Sequence, residues 1–173
     1  MRRLVAGDVT LEPQTAAHAE EMFAVLGDPA IYTYENAPPP SLEWLRERFR
    51  KLETRQSADG RERWLNWVIR IPTSELAGYV QATVRANGSA AIAFELHSRH
   101  WGRGLAAQAA HAMIRELAEH YQVTRLFAVA KQRNLRSIRL LERLGFSPAD
   151  LDPRENHCLE PGEVLMSRRL ERS

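Results

Sequence analysis

The chain has 173 residues, with 24 basic and 22 acidic side chains and a formal net charge of +2. That length predicts one domain, 1–173, with a core of its own, and the near balance of charge lacks the basic excess or stripe of a nucleic-acid binder. A single cysteine, Cys158, allows no internal disulfide, the start MRRLVAGDVTLEP has no apolar signal segment, and no window approaches the ~18 apolar residues of a membrane span. The expectation is a cytoplasmic protein with neither nucleic acid nor membrane as partner.

In chain order, residues 3–11 (RLVAGDVTL) read as a first strand with a Gly-Asp irregularity inside it. Ala19, Met22, Phe23 and Leu26 recur at helical spacing over 16–26, and Asp28-Pro29 ends that helix. A proline-rich loop, IYTYENAPPP, leads to Ser41, which caps a second helix with Leu42, Leu45, Phe49 and Leu52 on one face. Tyr32, Tyr34 and Trp44 fall close together here. Three strands follow as a meander: 64–71, 76–85 and 89–97, the last two joined at Asn87-Gly88, read as a hairpin turn rather than a glycosylation sequon. On the third, Ile92, Phe94 and Leu96 share one face, and Ala91, Ala93, Glu95 and His97 the other.

Residues 104–120 read as a helix, 124–130 as a short buried strand, and 134–144 as a helix stopped by Gly145. Residues 164–170 read as an edge strand. The strand–helix–strand unit 89–130 needs a crossover and is expected to be parallel. The whole is an α/β fold: a mixed sheet of about six to seven strands with helices on both faces.

The informative stretch is SRHWGRGLAAQAA, 98–110, which leaves a strand and opens a helix. A helix N-terminus offers unpaired N–H groups and the positive end of the dipole. Gly102 and Gly104 let successive amides converge on an anion, and Arg99 and Arg103 add positive charge. The reading is a phosphate or pyrophosphate site; the alternative is glycine serving only a tight strand-to-helix turn. Neither the Walker lysine nor the third glycine of a dinucleotide fingerprint is present.

Arg99-His100-Trp101-Gly102-Arg103-Gly104-Leu105-Ala106 resembles the R/Q-x-x-G-x-G/A acetyl-CoA pyrophosphate motif of the GNAT N-acetyltransferases. Asn134-Leu135-Arg136-Ser137 with LLERLGF (140–146) is similar to the N-x-x-S…L-GF segment of the Rim-type branch, which acetylates ribosomal-protein N-termini. The predicted element order matches. The resemblance covers roughly 3–147 and is strongest over 92–146.

The resemblance implies the GNAT fold, with acetyl-CoA as acyl donor between the splayed strands 89–97 and 124–130. Backbone groups of Leu96 and His97 would pair with its pantetheine arm, the amides from His100 to Leu105 would hold the pyrophosphate, and Asn134 would fix the arm or a water. The reaction would be attack of a neutral amine on the thioester, and three needs follow from it: a base, an oxyanion donor and an acid. The backbone N–H near Leu96 would be the candidate oxyanion donor. Glu95 is the candidate base, directly or through water, with an ordinary salt bridge as its alternative role. The tyrosine that many GNATs carry in the last helix is Leu141 here, which leaves Ser137 as candidate acid, or else as a helix N-terminal hydrogen-bonding group. A thiolate, with a thiol pKa of about 8.5, leaves with little help.

Tyr32 and Tyr34, with Glu35 and Trp44 nearby, would line the acceptor side. The acceptor is a protein N-terminal α-amine or a small-molecule amine, and a homodimer is possible only by family analogy. A GNAT-fold protein that binds acyl-CoA without turnover is the rival reading; a nucleotide-phosphate binder is a weaker one. His97, His100 and His111 lack partners at ligand spacing, so no metal is expected. Cys158 is not placed as a nucleophile.

Overall fold

The computed structural model describes residues 1–34, 36–150 and 159–171. Its core is an eight-stranded mixed sheet in the order β1-β2-β3-β4-β5-β6-β8-β7. The strand count is therefore higher than expected from the sequence, for two local reasons. Gly7, at φ +55°, folds the first segment into an antiparallel hairpin of β1 (Leu4–Ala6) and β2 (Val9–Pro13). After the last helix, β7 (Ser147–Pro148) pairs with the terminal strand β8 (Glu163–Arg169). β8 thus lies inside the sheet, bonded to β6 on its other side, and is not the edge strand its position suggested. Residues 151–158, which include Cys158, lie outside the described residues.

The meander is β3 (Glu62–Arg70), β4 (Leu76–Arg85) and β5 (Ser89–Leu96), antiparallel throughout. Asn87-Gly88 makes the β4–β5 turn, with Gly88 at φ +77°. β5 then pairs in parallel with β6 (Arg125–Lys131), but only over Ser89–Ala91 against Arg125–Phe127. Beyond Ala91 the two strands part, although both continue.

The helices α1 (Ala19–Val25), α2 (Leu42–Glu53), α3 (Leu105–Tyr121) and α4 (Leu135–Arg143) divide over the two faces. Ser41 caps α2 as its sequence position predicts, accepting the Trp44 N–H at 3.1 Å. Leu45 and Phe49, one turn apart, then bury against Met22, Val68 and Leu76 on one face. On the other face, alternate residues of β3, β4, β5 and β6 pack against Ala109, Ala110, Met113, Ile114 and Leu117 of α3. Leu140, Leu141 and Leu144 of α4 join that second cluster. Gly145, at φ +81°, ends α4 in a Schellman motif: its N–H reaches Glu142 O at 2.9 Å, and the Phe146 N–H reaches Leu141 O at 3.0 Å.

Candidate active site

The parting of β5 and β6 opens the sheet, and a cleft of about 530 Å³ passes through the gap. Its walls come from both faces. Tyr32, Tyr34, Trp44, Tyr79 and Glu95 line it on the α1/α2 side, and Phe94, Leu96, Trp101, Asn134 and Ser137 on the α3/α4 side. The structure therefore brings Glu95, Ser137, Leu96, Trp101, Ala106, Asn134, Tyr32 and Tyr34 to one cavity. Glu35 lies outside the described residues.

The loop leading into α3 is exposed and glycine-bent. Gly102 (φ +74°) and Gly104 (φ +75°) are both left-handed, a conformation costly to any residue with a Cβ, and no atom of the described residues lies within 4 Å of where a Cβ would stand on either. Gly104 is the N-cap of the 17-residue α3 and provides no side-chain cap. The first N–H groups of α3 are left without a side-chain acceptor at the positive end of the dipole. Leu105 is buried behind them.

His100, 4 % exposed, sits beneath this loop between two guanidinium groups. Arg99 Nε donates to its Nε2 at 3.1 Å, and Arg103 Nη1 lies 3.2 Å from its Nδ1. Burial, then the charges of Arg99 and Arg103, hold the imidazole below the ordinary histidine range. Arg99 also pairs with Glu75 at 3.1 Å, which turns its guanidinium away from the cleft. Arg99, His100, Gly102, Arg103, Gly104 and Leu105 thus build the loop rather than the cavity wall.

The main chain of β5 corrects one expectation. The His97 N–H bonds to Ala77 O at 2.9 Å, and the His97 carbonyl accepts the His100 N–H at 2.9 Å. Both groups serve the fold, so His97 does not offer a free strand edge. By the alternation of the antiparallel ladder, Leu96 and Phe94 direct their main-chain groups toward the gap. The Leu96 carbonyl already accepts from the Trp101 indole at 2.8 Å. Its N–H is the group that faces the cleft.

Across the sheet, Glu95 lies beside Tyr79, its register partner on β4. Burial, followed by the charges of Glu95 and Asp28, pushes the Tyr32 hydroxyl up to about 12. Tyr79 is raised as well, by burial first, then Glu95 and Tyr32. Tyr32 donates to Leu26 O at 2.7 Å, which anchors the loop before α2.

On the last helix, Asn134 caps α4 by accepting the Ser137 N–H at 3.2 Å. Ser137 and Leu141, one turn apart, both face the cleft. Arg136 lies 3.3 Å above the Trp101 ring, so α4 and the α3 loop are joined by a cation–π stack.

Residues 8–147 match the family model of the acetyltransferase (GNAT) domain. The chain belongs to the GNAT acetyltransferases. It is 25% identical over 154 residues to the protein named "Uncharacterized N-acetyltransferase p20" of Bacillus licheniformis, covering 87% of this chain and 85% of that one. Its fold is also that of the RimL ribosomal L7/L12 α-N-protein acetyltransferase solved with coenzyme A, at TM-score 0.81 and 15% identity, over 99% of this chain and 100% of that one. The ribosomal-protein-S5-alanine acetyltransferase of Vibrio fischeri aligns at TM-score 0.78 and 14% identity, over 98% and 97%.

As a GNAT enzyme the protein is an acetyl-CoA-dependent N-acetyltransferase. An uncapped helix end beside two open glycines, and a strand edge beyond it, are what a long anionic thioester needs. Among the described residues, no group of three metal-binding side chains gathers, and no helix is long and apolar enough to cross a membrane.

Sequence reasoning missed two features of this GNAT site. Asp28, 9 % exposed, was read only as a helix end, yet its carboxylate bonds both flanks of the cleft. Tyr79 was passed over because an isolated tyrosine in a strand looks like core. Only its registration with Glu95 reveals it.

Proposed function

We propose that the protein transfers the acetyl group of acetyl-CoA to a protein N-terminal α-amine, in the manner of the Rim-type branch. The observation that carries this reading is the cleft through the β5–β6 gap, which joins Glu95 and Tyr32 on one face to Leu96, Asn134 and Ser137 on the other. The names of RimL and of the S5-alanine acetyltransferase, both proteins of the same fold, support an α-amine over a side-chain amine.

Acetyl-CoA supplies an activated acetyl thioester. The His100 and Trp101 N–H groups are taken by His97 O and Ser98 O, so the amides from Gly102 to Leu105 hold its pyrophosphate, with the α3 dipole and Arg103 behind them. Gly102, Gly104 and Ala106 keep that approach clear of side chains, and Trp101 and Arg136 wall it. The Leu96 N–H serves as the oxyanion donor, held in line by the β4–β5 ladder. The Asn134 amide group, whose oxygen is committed to the helix cap, directs its Nδ2 toward the pantetheine arm.

Glu95 takes the proton from the incoming ammonium, directly or through a water. An α-amine, with a pKa of about 7.7 to 8.0, is partly neutral at pH 7, so a weak base suffices. Tyr32 and Tyr34 bound the acceptor side. Ser137 sits where it can return a proton to the departing thiolate, with Leu141 closing that side to water. The test is to incubate enzyme, acetyl-CoA and lysine-containing peptides and to locate the product's acetyl group by mass spectrometry. Acetyl on the α-amine supports the reading, and acetyl only on the lysine ε-amine overturns it.

A further inference from the structure

The second register row of the α1/α2 face carries amide side chains where a core would place apolar ones. Gln14 bonds its N–H to Asn66 O at 2.9 Å, Asn66 pairs with Gln81, and Gln81 pairs with Ala93. Gln14, Asn66, Gln81 and Ala93 therefore run in one line across β2, β3, β4 and β5. The neighbouring row, two residues along each strand, is Glu12, Val68, Tyr79 and Glu95. Val68 and Tyr79 pack under α1 and α2, so the amide row lies on that same face.

Gln14 is 3% exposed and Asn66 4%. Gln14 lines the cleft, and its Nε2 is buried with no hydrogen-bond partner among the described residues. A buried amide that donates to nothing is unfavourable, and native folds rarely keep one without a use. Gln81 lines the same cleft, and Ala93, the smallest member of the row, leaves space above it beside Glu95.

We propose that this amide row reads the peptide backbone of the acceptor. The inference rests on the N-terminal acetylation reading and adds to it the side chains that tell a polypeptide from a simple amine. Neighbouring rows on one face are about 6.5 Å apart, which is the reach from an α-amine to the first peptide groups behind it. With its amine at Glu95, an acceptor lays its first carbonyls over Gln81, and the following ones run across the sheet toward Gln14 Nε2. Amide side chains both donate and accept, and so match alternating backbone N–H and C=O groups without reading the side chains between them. Leu45, Phe49 and Leu52 of α2 line this arm of the cleft with apolar surface.

The test compares tetrapeptides Xaa-Ala-Ala-Ala with the amino alcohols matching each Xaa, which keep the amine and side chain but carry no carbonyl. Wild-type enzyme, Gln14→Met and Gln81→Leu are assayed with both, after thermal melts establish that each variant folds. Gln14→Met is close to isosteric and removes both the amide donor and its acceptor oxygen. The expected result is a ratio of kcat/KM, tetrapeptide over alcohol, that falls about 5-fold in each variant, with the loss in the tetrapeptide KM. A ratio equal to wild type in both variants overturns the proposal and leaves a water as the partner of Gln14. Wild-type turnover of the alcohols as fast as of the tetrapeptides overturns it too. Turnover with no amine at all removes the acetylation reading itself, and the inference with it.

Discussion

Asp28 Oδ2 accepts the Ser98 main-chain N–H at 2.6 Å, so one carboxylate on the loop after α1 holds the turn that leads into the glycine loop before α3. The same residue accepts the Ala30 N–H at 3.0 Å and lies 3.3 Å from His97 Nδ1. The two halves of the cleft are positioned through it.

Asp28→Ala strands two donors, and the expected loss is about 2 kcal/mol, a fall in Tm of about 4–8 °C for a chain of this size. Burial works against ionisation of Asp28, but the Ser98 and Ala30 hydrogen bonds and the charge of His97 outweigh it and hold the carboxyl below its usual range. A depressed carboxylate contributes stability above its unfolded value of about 3.9 and loses it as pH falls through the folded value. Thermal melts from pH 7 to pH 3 check this: the gap between wild type and variant should narrow only at the acid end.

His100 acts in a higher window. Its folded value lies below the ordinary histidine value, through burial and two arginines. The unfolded chain therefore gains a proton before the folded one does, and stability falls as pH drops from about 6.5. His100→Gln should flatten the Tm profile between pH 7 and pH 5. An unchanged slope would show that the imidazole does not titrate against those arginines.

Gly104→Glu should weaken acetyl-CoA binding about 10-fold or more, because a carboxylate would face the pyrophosphate. Gly104→Asn is the control, since asparagine tolerates positive φ and adds no charge. Isothermal calorimetry decides: equal affinities of the two variants would mean that no anion approaches Gly104.

Glu95→Gln should lower kcat/KM about 100-fold at pH 7, with part of the loss recovered at pH 9, where more of the amine is neutral. Ser137→Ala should cost less than about 10-fold, because a thiolate leaves with little assistance. A larger loss for Ser137→Ala than for Glu95→Gln would reverse the roles assigned here.

The geometry of the α3 loop and of the α4 caps was legible in the sequence because its signals are local. Gly102 and Gly104 stand at a helix mouth, Asn134 caps the next helix, and Gly145 closes it, each decided by a few neighbouring residues. The amide row was not, because it is a matter of register. Gln14, Asn66 and Gln81 are far apart in the chain and become a row only through β2–β3 and β3–β4 pairing. The occupied main chain of His97 was hidden for the same reason, since its partner Ala77 is set by where β4 lies. The strand at 3–11 divided because Gly7 takes a positive φ, which a glycine permits but does not announce.

The measurement that bears most directly on the account is free-thiol release from acetyl-CoA, run with wild-type enzyme against peptides of differing N-terminal residue and, in parallel, small amines. The account predicts thiol release that depends on the peptide and favours one class of N-terminal residue. Release with small amines alone would contradict the proposed acceptor. Silence with both panels, from protein that still binds acetyl-CoA, would contradict the catalytic roles of Glu95 and Ser137.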